Sequence, residues 1–297
     1  MIQSTLNGET LKDFDKVVNV SSVAQLSPFR YPGGKTWLVP RVREWLLAQE
    51  RPGLFIEPFT GGGIVSLTVA KEGLADRCLM VEIDDDVAAA WQVIIDGDAA
   101  ELVRRIQTFE LSITTANEVI SSTSDDVMDM AFRTILRNRV SHGGILAPGS
   151  GILKNGENGK GIHSRWYPAT LAKRINKITT FRDHITFVHG DAFQIIEQHM
   201  DDLTCAFFID PPYTASKKSA GRRLYTHNVV DHERLFELVS RIKGPFMVTY
   251  DESEEIAQLC DKYGLDYRRI RMSGTHHIER YEYVICNDFD WFDSSSK

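Results

Sequence analysis

The apolar run CAFFI is followed by Asp210, Pro211, Pro212 and Tyr213. Each proline fixes its own φ, lacks an N–H for a sheet ladder, and restricts the residue before it. The backbone from Asp210 to Pro212 is therefore expected to run extended and stiff. Such stiffness suits a place where a carboxylate and a carbonyl must point at something, although a strand leaving into an ordinary proline loop uses the same residues. Three other apolar runs end in a similar way. LFIEPF is followed closely by Gly61-Gly62-Gly63, LMV by Glu82 and Asp84, and ITFVHG by Asp191. Glycines let a ligand approach the backbone. An acid about 20 residues beyond such a turn commonly holds the hydroxyls of a ribose. The pattern suggests an adenosine-containing cofactor. GxGxxG spacing is absent, which disfavours NAD, and no GxxxxGK[ST] is present, which weighs against ATP.

These residues need a sheet to bring them together. From 54 to 95 the chain reads strand, glycine turn, helix, strand, helix, and the alternation implies a parallel sheet with crossover helices. It returns after 184. ITFVHGDAFQIIEQHM reads as strand, turn and helix, CAFFID as a buried strand, and HERLFELVSRI as a helix. PFMVTYDE reads as a strand, EEIAQLCDKYG as a helix ending at Gly264, and YEYVICND as a final strand after the alternating YRRIRM. About six or seven strands are expected. Ligands in open α/β sheets bind beyond the carboxyl ends of the strands, where the four motifs fall. The stretch 100–180 breaks the rhythm: it is helical at first, then rich in Gly, Asn and Ser from 141 to 164, and it reads as an insertion.

The 297 residues, 42% hydrophobic and 25% charged, have the composition of an ordinary soluble protein. No run approaches the roughly 18 apolar residues of a membrane span, and the start shows no signal-peptide pattern. A cytoplasmic location is expected. Cys78, Cys205, Cys260 and Cys286 are far apart, without metal-ligand spacing, so neither a metal site nor a disulfide is expected. The formal charge is −7, yet residues 131–180 hold nine Lys and Arg against one acid, Glu157. Residues 214–230 hold Lys217, Lys218, Arg222 and Arg223 with no acid. An acidic body with two basic segments suits a protein that meets a phosphate backbone on one face. A solvated basic surface without a partner is the alternative.

Taken together, SPFRYPGGK (27–35), FIEPFTGGG (55–63), an acid after the next strand, HGDAF (189–193) and DPPY (210–213) resemble the Dam-like adenine-specific DNA methyltransferases in order and spacing. The resemblance covers about 27–290. It implies a Rossmann-like α/β sheet with helices on both faces and an inserted, mainly helical target-recognition domain. The expected division is an arm at 1–26, a core at 27–98 and 178–292, the insertion at 99–177, and a tail at 293–297. The implied cofactor is S-adenosylmethionine. By matching motif, Tyr31, Lys35, Glu57, Phe59, Gly61 and Gly63 would line its site, with Tyr31 where the family often has Trp. Glu82 would take the ribose position, where Asp is more usual, and Asp84 competes for it. Asp191 would meet the cofactor's adenine amino group. Asp210 would act in catalysis at the edge of the same site.

The resemblance implies a physical role for DPPY. The exocyclic amine of adenine is a weak nucleophile because its lone pair is delocalised into the ring. Asp210 and the Pro211 carbonyl can each accept one amine hydrogen, favouring a tetrahedral nitrogen, and Pro211 and Pro212 hold those acceptors still. Tyr213 can stack on a base taken out of the duplex. The expected partner is double-stranded DNA, without a membrane, bound by a monomer or weak dimer. A companion restriction enzyme is not legible in the sequence. Arg137, Arg139, His142, Lys154, Arg165, Lys217, Lys218 and Arg222 are the DNA-contact candidates, any of which can touch phosphate alone. The RNR at 137–139 with its nearby glycines is similar to the stretch carried by GATC-methylating relatives. The residues beyond those glycines depart from it, and no recognition sequence is assigned. Action on cytosine or RNA, a catalytically silent DNA-binding regulator, and a Rossmann-type oxidoreductase are the other readings. The last leaves DPPY without a role.

Overall fold

A computed structural model describes residues 5–6, 9–10, 20–31, 33–146, 150–154, 156, 159–212, 230–273 and 279–294. Seven strands form one sheet: β1 (Leu54–Glu57), β2 (Arg77–Glu82), β3 (Ile185–His189), β4 (Cys205–Ile209), β5 (Phe246–Asp251), β6 (Tyr267–Ser273) and β7 (Glu279–Cys286). Their order is β3-β2-β1-β4-β5-β7-β6. The first five are parallel, and β7 runs antiparallel between β5 and β6. A separate pair of two-residue strands joins Thr5–Leu6 to Glu9–Thr10.

The central strands read as continuous apolar runs because both faces are covered. Successive side chains point to opposite faces. Phe55, Met80 and Phe208 enter one core cluster, while Ile56, Val81 and Phe207 enter the other. The first cluster is closed by α1 (Val39–Leu47), α2 (Ile64–Glu72) and α3 (Asp85–Ile95). The second is closed by α8 (Ala192–His199), α9 (His232–Val239) and α10 (Glu254–Tyr263). Several helix starts are capped by the residue types that favour that position: Asp84 accepts from Val87 N–H at α3, and Ser253 from Ile256 N–H at α10.

The stretch between the two halves of the sheet forms α4 (Ala99–Thr108), α5 (Ile113–Ile120), α6 (Val127–Val140) and α7 (Pro168–Ile178). Its apolar residues Leu102, Ile106, Ile135 and Ile175 join the same cluster as Phe55 and Met80. The segment therefore shares the core of the sheet's first face and is anchored to it through α3 and α6. A last short helix, α11 (Asp290–Ser294), follows the sheet. All four cysteines are buried and unbridged. Among the described residues no helix is long and apolar enough to cross a membrane.

The strand order reverses between β1 and β4. The chain proceeds outward from β1 through β2 to β3, then returns to begin β4 on the other side. Such a reversal leaves a crevice at the carboxyl ends of the central strands. Glu57, Glu82, Asp191 and Asp210 lie at those ends.

Candidate active site

Asp210 follows β4 directly, and its carboxylate is held from two sides. Thr249 Oγ1 on β5 donates to Asp210 Oδ1 at 2.8 Å, and Lys35 Nζ lies 2.9 Å from the same oxygen. Lys35 sits on a short 3-10 turn ahead of α1, with its side chain only 2% exposed. It donates to the Gly33 carbonyl at 3.0 Å and lies 3.6 Å from Glu282 Oε2 on β7. Burial raises the Glu282 carboxyl to about 7, with Lys35 opposing the rise and Asp210 adding to it.

The turn after β1 is fixed by its neighbours. Gly61 has φ +47° and Gly63 has φ +62°, in the left-handed region that favours glycine. A Cβ on Gly61 would lie 2.6 Å from the Tyr31 ring, and one on Gly62 would lie 2.9 Å from Tyr31 Cβ. Tyr31 thus packs directly on the glycine backbone. Trp91 Nε1 on α3 donates to the Gly61 carbonyl at 2.9 Å, and Glu82 Oε2 accepts from Gly61 N–H at 3.0 Å. Glu82 Oε1 accepts from Ile83 N–H and Asp84 N–H at 2.9 and 3.0 Å. Burial is the main influence raising its carboxyl above the usual carboxylate range. Glu57 Oε2 accepts from Ser66 N–H at 2.9 Å in the first turn of α2, a cap that Gly63 has no side chain to provide. Burial pushes the Glu57 carboxyl up to about 8 against that hydrogen bond.

On the far side, Asp191 caps α8 by accepting from Phe193 N–H at 2.8 Å. The Phe193 ring meets Phe59 edge-on, with centroids 6.5 Å apart. All ten residues expected to hold the donor (Tyr31, Lys35, Glu57, Phe59, Gly61, Gly63, Glu82, Asp84, Asp191 and Asp210) line one cavity of about 330 Å³, together with Pro211 and Pro212. Its lining carries five carboxyl groups and one ammonium. Even with the Glu57 carboxyl kept neutral by burial, the acids outnumber the ammonium, a balance that suits a cationic ligand and disfavours a phosphate-bearing one.

The basic segment sits differently. Arg139 is buried and donates through Nη2 to the Pro28 carbonyl, so that end of its guanidinium braces the 27–31 loop from inside. Arg137 is half-buried, 3.9 Å from Asp86 Oδ2. His142 and Lys154 are exposed and Arg165 is half-buried. Tyr213, Lys217, Lys218 and Arg222 lie outside the described residues. Sequence reading passed over Asn138, whose buried amide brackets Arg30. Its Oδ1 accepts from Arg30 N–H at 2.8 Å, and its Nδ2 donates to the Arg30 and Gly144 carbonyls at 3.0 and 2.7 Å. Gly144 has φ +76°, and a Cβ there would overlap the Arg30 carbonyl oxygen. An uncharged amide between two arginines near the end of a helix, with a glycine pair five residues on, was the available signal. Glu282 and Thr249 were also missed, as each reads as one more residue of a strand.

The reversed strand order, with acids and glycines gathered over the central strand ends, defines a Rossmann-like α/β fold with a ligand crevice at its switch point. A family profile described as D12 class N6 adenine-specific DNA methyltransferase matches residues 31–276. The chain belongs to this family. The Type II methyltransferase M.MjaIII of Methanocaldococcus jannaschii is 21% identical over 225 residues, spanning 68% of this chain and 74% of that protein. Among solved structures, the precorrin-6y C5,15-methyltransferase of Geobacter metallireducens aligns over 92% of this chain and 94% of its own, at 10% identity and TM-score 0.37. An rRNA methylase of Streptococcus thermophilus aligns over 83% and 94%, at 8% identity and TM-score 0.35.

Proposed function

We propose that this adenine-specific DNA methyltransferase takes its methyl group from S-adenosylmethionine in the 330 Å³ cavity and delivers it to the N6 amine of an adenine rotated out of the duplex. The observation that carries the reading is the Asp210 carboxylate, pinned by Thr249 and Lys35 at the edge of a cavity whose other walls are the glycine turn, Glu82 and Asp191. The cavity fits the donor in size, since cofactor sites occupy about 300–1,000 Å³. It also fits in charge, because the donor brings a sulfonium cation to a lining rich in carboxyls. Bound S-adenosylmethionine supplies an electrophilic methyl on that sulfonium.

The chain's own residues do the rest. The Gly61 turn leaves room for the Tyr31 ring against backbone, and ring and turn together form one wall for the ligand. Glu82, locked by three N–H donors, presents a rigid acceptor for a ribose hydroxyl, and Asp191 stands toward the adenine end. Asp210 accepts one hydrogen of the target amine and the Pro211 carbonyl accepts the other, steering the nitrogen lone pair out of the ring plane. Because Thr249 and Lys35 already fix the carboxylate, little reorganisation is needed as the amine gains positive character. A base within a duplex cannot place its amine against Asp210, so the adenine must leave the stack, and Tyr213 is assigned to stack on it. The basic segments at 131–180 and 214–230 supply the backbone contacts.

The test is transfer of labelled methyl from S-adenosylmethionine to mixed-sequence duplex DNA, followed by digestion to nucleosides. Label in N6-methyladenine is expected. Label in cytosine, or no transfer, would overturn the reading.

A further inference from the structure

A second cavity of about 490 Å³ lies beside the first and shares Tyr31, Gly34, Gly62 and Ile64 with it as a common wall. Its chemistry is opposite. Arg30, Arg139, Arg165 and Arg174 line it, and among the described residues no Asp or Glu does. Ser27, Ser164, Tyr167 and Thr170 add hydroxyls, the last from the first turn of α7. Arg139 is only 6% exposed, and its Nε has no hydrogen-bond partner among the described residues. Its Nη2 goes to the Pro28 carbonyl, and Arg174 Nη1 goes to the Ser27 carbonyl at 2.8 Å. Among the described residues neither arginine has a carboxylate within ion-pair distance.

Buried charges are ordinarily paired, because removing an ion from water costs several kcal/mol unless a counter-charge compensates. Here a buried guanidinium sits close enough to a second one for the two to repel, since burial and then Arg174 lower the Arg139 pKa to about 10. The group stays charged at neutral pH, with carbonyl oxygens as its protein partners. An anion is the missing partner. A planar guanidinium suits paired oxygens on a tetrahedral or carboxylate anion. The positive end of the α7 dipole, toward which Tyr167 and Thr170 lie, favours negative charge as well.

We infer that the cavity formed by Arg139, Arg174, Arg165 and Thr170 is an oxyanion site that holds a backbone phosphodiester of the DNA strand next to the methyl-donor cavity. The inference rests on the DNA-methyltransferase reading for its occupant. The donor's own carboxylate would offer the same chemistry from the neighbouring cavity, so the test must separate the two sources. A phosphate seated behind Tyr31 would set the strand's register relative to Asp210 without reading sequence.

The test uses the full chain with mixed-sequence duplex DNA, so no recognition site need be known. Binding is measured between about 50 and 200 mM salt, where each neutralised phosphate contributes about 0.9 to the slope of log K against log salt. Arg174→Gln should reduce the slope by about 0.9, and Arg174→Lys should retain the wild-type slope. Arg174 also braces Ser27, so Thr170→Glu is a second probe. Thr170 is exposed, an acid in the first helical turn is well tolerated, and the new carboxylate would occupy the site from within. The same flattening is expected. Affinity for S-adenosylmethionine without DNA should not change in Thr170→Glu, which leaves the Arg174 brace on Ser27 in place. Wild-type slopes in both folded variants would overturn the inference. Weakened donor binding with the DNA slope intact would place the donor's carboxylate in the cavity and overturn the phosphodiester assignment. The expected slope changes in a protein that transfers no methyl to adenine would instead count against the proposed function and leave the anion site standing.

Discussion

Lys35 Nζ stands 2.9 Å from Asp210 Oδ1, joining a residue ahead of the first sheet strand to one just past the fourth. The loop that carries Tyr31 and the segment that carries the acceptor for the target amine are therefore one rigid unit. Asp210→Asn keeps the shape and an acceptor for Thr249 but loses the charge. It should lower kcat by roughly 10²–10³-fold, the scale of a preorganised electrostatic contact, with donor affinity little changed. Single-turnover transfer beside a donor-binding titration would check this. A variant with full turnover would remove Asp210 from the chemistry.

Glu282 extends that pair into a three-member cluster with an ionisation in the working range. Its carboxyl is raised to about 7 chiefly by burial. Below that pH Glu282 is neutral and Lys35 leans on Asp210 alone, weakening it as an acceptor. Above it the ammonium is shared and Asp210 recovers acceptor strength. Single-turnover rates should rise through pH 7, and Glu282→Gln should hold the low-pH rate throughout. The same inflection in the variant would assign it to another group.

The Asn138 amide holds Arg30 at both its N–H and its carbonyl, and so sets the loop that ends in Tyr31. Asn138→Ala takes this partner from three backbone groups, at a cost of about 1–3 kcal/mol for the buried Gly144 carbonyl and less for the half-buried Arg30 groups, which water can reach. A lowered melting temperature and weaker donor binding are expected together. Loss of stability with donor affinity intact would mean that Tyr31 is positioned by other contacts.

Much of this arrangement was legible because the sequence wrote it locally. LFIEPFTGGG, ITFVHGDAF and FFIDPP each combine a strand with the residues at its end, and a parallel sheet necessarily gathers such ends on one side. Partners across the sheet left weaker marks. Thr249 and Glu282 sit inside strands, and their distance from Asp210 is set by register and by the antiparallel β7, which residue spacing does not encode. Arg139 shows the limit of charge counting. Nine basic residues at 131–180 suggest a surface, but α6 turns one of them inward against Pro28. Helix phase decides that, and α6 has apolar residues around much of its circumference.

Gly61 is constrained twice over, by φ +47° and by the Tyr31 ring. Gly61→Ala should cost about 1 kcal/mol from the left-handed backbone alone, with further loss as the Tyr31 ring is displaced. Donor affinity should fall about tenfold or more, as 1.4 kcal/mol corresponds to a factor of ten. Combining it with Tyr31→Ala should show less than the sum of the two losses, because the overlap is already gone. Strictly additive losses would indicate that backbone strain alone matters.

Glu57 makes stability depend on pH in a direction opposite to that of a salt-bridged carboxylate. Its carboxyl is raised from 4.5 to about 8, mainly by burial, with Asp210 and Glu82 adding to the rise. Between those values the folded chain keeps a proton that the unfolded chain has released. The stability contribution is therefore fully present below 4.5 and is lost as pH rises toward about 8. At its steepest the loss is about 1.4 kcal/mol per pH unit. Glu57→Gln keeps an acceptor for Ser66 N–H and has no proton to lose, so it should remove this slope. Glu82 and Glu282 are raised as well and contribute slopes of the same sign, so the informative quantity is the difference between variant and wild type. Denaturant melts should show that difference moving in the variant's favour from pH 5 to pH 8, then levelling off. A difference that stays constant over this range would mean that Glu57 is ionised in the folded chain, with Ser66 N–H supporting a true carboxylate beneath the donor cavity.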